Sequence, residues 1–188
     1  GLVGMDAAVL DTLADEVRAL GVEAETAVAD ITDEIGATAA VHGLGERFGR
    51  VDVLHFNPSA YRAKTPLELA VPELLEDVAL GVGALLTAVQ AVRPLMASGA
   101  RVTATGSVAA DRPSYEAASL GVQKAGLRNL VQSLDAALAP DGIRAVSVTV
   151  RGVLAKEGAF TPDRVAEAIY EAAFQDEADW RAEVSYSG

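Results

Sequence analysis

A serine hydroxyl and a lysine ammonium are the first groups here that could do chemistry. Ser107 closes the stretch ARVTATGS, and Lys124 stands in SLGVQKAGLRNL. Leu120 lies 13 positions after Ser107 and four before Lys124. A hydroxyl can donate and accept hydrogen bonds and an ammonium can donate three, whereas leucine has no proton to give. Each polar group also has a structural reading. Ser107 could cap the turn after a strand, and Lys124 could be an ordinary exposed lysine. An ammonium in so apolar a stretch is better read as anchored to a partner. Three further groups could exchange a proton: Tyr115, five residues before Leu120, and Tyr61 and His55. The tyrosines also read as loop aromatics and His55 as a structural histidine.

The elements that must position these groups alternate between strands and helices. Leu2 and Val3 end a strand, and Asp6 can cap a helix carrying Leu10, Leu13, Val17 and Leu20 at helical spacing up to Gly21. VEAETAVAD reads as a strand with Val22, Ala24, Thr26 and Val28 on one face. A helix from about Asp33 to Phe48 is diluted by Gly36, Gly43 and Gly45. VDVLHF is a short strand, followed by the loop NPSAYRAKT. Pro72 suits the first turn of a long helix to Met96. The strand 100–107, the Lys124 helix ending near Ala139, the strand IRAVSVTV, a helix opened by Thr161 and Pro162, and a last strand in WRAEVSYSG complete the chain. Strands apolar on both faces, alternating with helices, predict a parallel sheet covered on both sides. The expectation is an α/β, doubly wound, Rossmann-like fold in a single domain, 1–188. Ligands in such sheets bind beyond the carboxyl ends of the strands, here at Asp30, Asn57, Ser107 and the residues after Val150.

Composition excludes several functions. The formal charge is −12, from 15 basic and 27 acidic residues. That argues against nucleic acid or an anionic membrane as partner. There is no cysteine, and His42 and His55 lack metal-ligand spacing, so no metal site is expected. The uncharged apolar run Val78 to Val92 is 15 residues long, short of the roughly 20 a membrane span needs. A buried helix and a cytoplasmic protein are expected.

The order of these motifs resembles the short-chain dehydrogenase/reductase family over nearly the whole chain. LADEVRALGVEAETAVADITD is similar to the region of the family's third strand, whose aspartate, here Asp30, lies beside the adenine ring. RFGRVDVLHFNPSA is similar to its fourth strand and Asn-Asn-Ala-Gly turn, although only Asn57 matches that turn. ARVTATGSVAA resembles its fifth strand, with Ser107 at the catalytic serine. The spacing from Ser107 through position 120 to Lys124 is the family's spacing of serine, tyrosine and lysine. DGIRAVSVTVRG resembles the sixth strand, with Val150 and Arg151 where the family has Pro-Gly. TPDRVAEAIYEAA resembles the final helix.

The resemblance implies hydride transfer between NAD or NADP and a small-molecule carbonyl or alcohol. It gives Lys124 two roles, lowering the pKa of the tyrosine and binding the nicotinamide ribose, and Ser107 the role of holding the substrate oxygen. Asn57 and Asp30 become cofactor-binding residues. Leu120 replaces the tyrosine, and no asparagine stands near Leu80 or Gly81 to support a proton relay. Tyr115 is therefore the candidate substitute acid. The family's first strand, glycine-rich loop and first helix have no counterpart in 1–188, so a fragment of a longer chain, or a disordered portion ahead of Gly1, is expected. Met5 and Asp6 leave the choice of NAD or NADP open. Family members pair two helices across a two-fold axis. Ala84, Leu85, Ala88, Ala118, Val122, Ala125 and Leu130 are expected to be poorly covered, giving a homodimer or homotetramer. The competing expectation is a family member that has lost catalysis and binds a nucleotide or another protein.

Overall fold

The computed structural model describes residues 1–188. They form two compact units, residues 1–51 with 83–96, and residues 52–82 with 97–188. All strand pairing is parallel, in two separate ladders.

In the first unit, β1 (Leu2–Gly4) pairs with β2 (Thr26–Val28). Helix α1 (Ala7–Ala19) starts where expected, because the Asp6 carboxylate accepts from the free N–H groups of Ala8 and Val9. It ends ahead of Gly21, whose φ of 81° favours glycine. Its buried face is narrower than the apolar spacing predicts: Leu10 and Ala14 are buried, but Leu13 and Leu20 are exposed. β2 is also shorter than the predicted 22–30, and Val22 and Val28 are exposed. A strand persists only while a neighbour pairs with it, and β1 offers three residues. Helix α2 (Glu34–Phe48), capped by Asp33, packs against α4 (Ala84–Val92). Gly45, which weakens α2 by propensity, leaves room for the side chains of Leu95 and Val51. A methyl group there would come within 2.7 Å of Leu95 Cδ1 and 3.0 Å of Val51 Cγ2.

In the second unit the strands run in the order β3 (Val53–Phe56), β4 (Arg101–Ser107), β5 (Arg144–Val150), β6 (Glu183–Tyr186). β4 and β5 are buried almost throughout, which explains their lack of polar alternation. Helix α6 (Pro162–Ala173) opens on Thr161, whose hydroxyl accepts from the Arg164 N–H. Its Ala172 packs on Val146 and Val148 of β5, with Ile169, Trp180, Val184 and Tyr186 around them. Helix α5 (Ala118–Leu138) also packs on β5. From the alternate face of β5, Thr149 donates to Glu183, which also accepts from Arg128 of α5.

The expected helix from Pro72 to Met96 is an unbroken helical run, Val71–Leu95, built of α3 (Val71–Val78), a π turn (Ala79–Gly83), α4 and a last 3₁₀ turn. At 25 residues, with a mean hydropathy of 1.6 over an 18-residue window, it has the length and composition of a membrane span. The shortness of the uncharged stretch is therefore no argument against a membrane. Ala84, Leu85, Val89, Ala91 and Val92 are buried, and 39% of the most apolar window of the run is buried overall.

Candidate active site

Lys124 lies on the second turn of α5, where helical spacing turns it inward with Gln123 and Leu127. The residue is 6% exposed. Its Nζ donates to the carbonyl oxygen of Thr105, 2.8 Å away, near the carboxyl end of β4. Burial pushes its pKa down from the ordinary 10.5 to about 8. The anchored reading of this lysine is the one the structure supports. Ser107 ends the same strand two residues beyond Thr105. Its Oγ accepts from the Ala109 N–H at 3.2 Å, so it caps the turn as its structural reading predicts. The hydroxyl proton is not used in that bond and remains available to an acceptor. Leu120, one turn before Lys124, is half-buried.

The turn after β3 is fastened from two sides. Asn57 is exposed at the end of β3. Gln123, fully buried, holds Ala60 by both amide ends: Oε1 accepts from the Ala60 N–H at 3.1 Å, and Nε2 donates to the Ala60 carbonyl at 3.2 Å. The Ala118 N–H donates to the Lys64 carbonyl at 3.1 Å. Arg62 donates from Nε and Nη2 to the two oxygens of Asp77 in α3, at 3.1 and 3.0 Å, and reaches Glu73 and Glu76 as well. Asp77 is 3% exposed, and the Arg62 guanidinium holds its carboxyl below the usual range.

The remaining sequence candidates are placed differently. Tyr115 lies in a short 3₁₀ turn before α5, is 70% exposed, and directs its hydroxyl to Glu116, 3.5 Å away. Tyr61 is likewise exposed. His55 sits opposite Thr103 in the ladder, with Nδ1 2.8 Å from Thr103 Oγ1. Burial of the ring lowers its pKa from the ordinary imidazole value. Asp30, in the first unit, spends its carboxylate on Thr32, accepting from the backbone N–H and the hydroxyl. Those bonds hold its pKa low. Arg151, beyond β5, is tied to Ser185 and Asp111. A cleft of about 430 Å³ between α6 and β6, rimmed by Glu171, Asp176, Asp179 and Arg181, contains none of the candidate residues. No group of His, Asp or Glu could hold a metal ion.

Sequence reading missed Gln123, Thr105 and the Arg62–Asp77 pair. The signals were present. Gln123 stands on the apolar stripe of its helix with Leu127, where an amide needs partners. Glu73, Glu76 and Asp77 form one acidic face, and a single loop arginine precedes them.

Three comparisons bear on this geometry. The family model for short chain dehydrogenases matches residues 2–159. A short chain dehydrogenase from Mycobacterium smegmatis superposes with a TM-score of 0.87 at 21% identity, covering 100% of this chain and 80% of that one. A short chain dehydrogenase from Burkholderia cenocepacia J2315 in complex with NADP, at 22% identity, gives a TM-score of 0.85 and covers 100% and 85% of the two chains. A metagenomic short-chain oxidoreductase in complex with NADP has the same TM-score, identity and coverage. No curated protein matches. The solved structures show the Rossmann-like, single-domain α/β fold that the alternation of elements predicts.

Proposed function

The chain belongs to the short-chain dehydrogenase/reductase family, and from that premise we propose that it is an NAD(P)-dependent oxidoreductase acting on a small carbonyl or alcohol through an altered proton pathway. The observation that carries this reading is Lys124. A buried ammonium is costly, and this one is held by the carbonyl of Thr105, two residues before Ser107 on β4. Two solved relatives contain NADP, which supports a nicotinamide cofactor in this chain.

The residues fit the nicotinamide-ribose half of such a cofactor. Lys124 places one N–H on Thr105 and has two more for ribose hydroxyls. Asn57 is exposed at the neighbouring strand end. On the adenine side Asp30 is the residue proposed, although its carboxylate already caps Thr32. When bound, the nicotinamide supplies the hydride. Ser107 would hold the substrate oxygen through its free O–H. The proton cannot come from Leu120. Burial lowers the pKa of Lys124 to about 8, which makes its ammonium a second candidate proton donor in this reading. Tyr115 is the substitute phenol in this reading.

Leu120 favours a second reading, a nucleotide-binding member without turnover. Fluorescence titration with NADH and NADPH, set beside turnover across a carbonyl panel, separates the two. Binding with turnover supports the oxidoreductase, binding without turnover the second reading, and no binding removes both.

We further propose a small-molecule substrate, a cytoplasmic location and self-association. Of the apolar residues expected to mediate assembly, Val122 is exposed and Ala88, Ala118, Ala125 and Leu130 are half-buried. Ala84 and Leu85 are buried inside the chain, whereas Val71, Leu75 and Val122 of α3 and α5 are exposed. α3 packs beside α5. The charge of −12 argues against nucleic acid and an anionic membrane surface as partners in this proposal.

A further inference from the structure

We infer that Gln123 is a positioning residue that locks the turn after β3 to the helix bearing Lys124, using a notch left by Gly81. The amide of Gln123 makes two hydrogen bonds to the backbone of one residue, accepting from the N–H of Ala60 and donating to its carbonyl. It reads backbone alone, across 63 residues of chain. The side chain has no exposure to water, so each of these bonds replaces hydration that burial has removed.

The notch is specific to glycine. A methyl group at position 81 would lie 2.5 Å from Gln123 Oε1 and 3.0 Å from its Cβ and Cγ. Gly81 lies in the π turn of the long helix and is itself buried. A glycine inside a helix is destabilising relative to alanine, and here the space it leaves is filled by the glutamine.

Gln123 and Lys124 are consecutive, so the helix sets them about 100° apart. One side chain goes to the turn after β3 and the next to the end of β4. β3 and β4 are neighbours, with Phe56 opposite Ala104. A single turn of α5 therefore sets Asn57 and Lys124 relative to each other. The lock itself stands on geometry. Its consequence for nicotinamide binding rests on the function proposed above.

The test is Gln123→Glu against Gln123→Met, with Leu127→Ala as a core control on the same helix. Protonated glutamic acid has the hydrogen-bonding pattern of glutamine at Ala60; glutamate does not, because it cannot donate to the carbonyl. Hydrogen exchange at the Ala60 amide, corrected for its intrinsic pH dependence, should be near wild type in Gln123→Glu at low pH. It should be about tenfold faster once the carboxyl ionises. Gln123→Met, which fills the notch without polar atoms, should be fast at every pH, and Leu127→Ala should lose stability without selective exposure of Ala60. Gly81→Ala should free Ala60 as well, by displacing Gln123. An Ala60 amide as slow in Gln123→Met as in wild type, or a pH-independent Gln123→Glu, overturns the lock. NADPH dissociation constants on the same proteins test the consequence separately: a weakening that follows the pH of Gln123→Glu supports it, and unchanged affinity in variants with a freed Ala60 overturns it. Failure of the wild type to bind NADPH would sink the proposed function and the consequence, leaving the exchange data to judge the lock.

Discussion

In the proposed reading, Leu120 stands where an acid is missing and Lys124 is the group retained. Leu120→Tyr returns a phenol one helical turn from Lys124. General acid assistance is typically worth 10²- to 10⁴-fold, so carbonyl reduction should rise by on the order of a hundredfold over a nearly inactive wild type. Initial rates at matched folded fraction check this, because overpacking at a half-buried position costs about 1–3 kcal/mol. Lys124 gives a prediction on stability. Its folded pKa of about 8 lies below the ordinary 10.5, so burial penalises the charged form. That penalty is complete below pH 8 and fades as pH rises to 10.5, where the unfolded chain also loses its proton. The gap corresponds to at most about 3 kcal/mol, reduced by the loss of the bond to Thr105. Lys124→Met should therefore be more stable than wild type at pH 7 and lose that advantage near pH 10.5, as read by denaturant titration at both. Any function that needs the ammonium should decline above pH 8.

The elements around the turn after β3 are joined by charge as well as by Gln123. Arg62 lies in the loop and Asp77 in α3, and Asp77 is almost fully buried. Arg62→Met leaves that carboxylate without its main partner. The folded pKa of Asp77 is depressed, so the contribution of the pair is present above the ordinary aspartate value of 3.8 and is lost as pH falls through the folded value. The variant should melt well below wild type at pH 7, and the difference should shrink on acidification toward pH 3. A difference independent of pH would assign the loss to packing of the arginine stem instead.

Assembly belongs to the whole molecule. Val71 and Leu75 are one helical turn apart and exposed, and Val122 is exposed on α5. Isologous pairing would cover such residues in two copies at once. Light scattering at micromolar concentration should give a dimer or tetramer for the wild type, and Val122→Glu should shift it toward monomer without lowering the melting temperature by more than the loss of assembly explains. A wild-type monomer would remove the proposal. At this scale the long apolar helix Val71–Leu95 is covered only in part, with Ala84, Leu85, Val89, Ala91 and Val92 buried.

Local rules carry as far as their range. Asp6, Asp33 and Thr161 cap helices as their types predict, because a cap needs only its own N–H groups two or three residues on. Gly21 ends α1 because positive φ is a property of one residue. The burial of β4 and β5 was readable from apolar runs, and Ser107 and Lys124 from their spacing. Extent and partnership were not. β2 stops where β1 stops, and Leu13 and Leu20 are exposed although their spacing matches that of Leu10. Lys124 acquires its pKa from desolvation, which exists only once other elements close over it. Gln123, Gly81 and Ala60 lie far apart in sequence and have a common purpose only after α5, the π turn and the turn after β3 meet. Tertiary structure decides such matters because hydrogen bonds and excluded volume act over a few ångströms of space, whatever the separation along the chain.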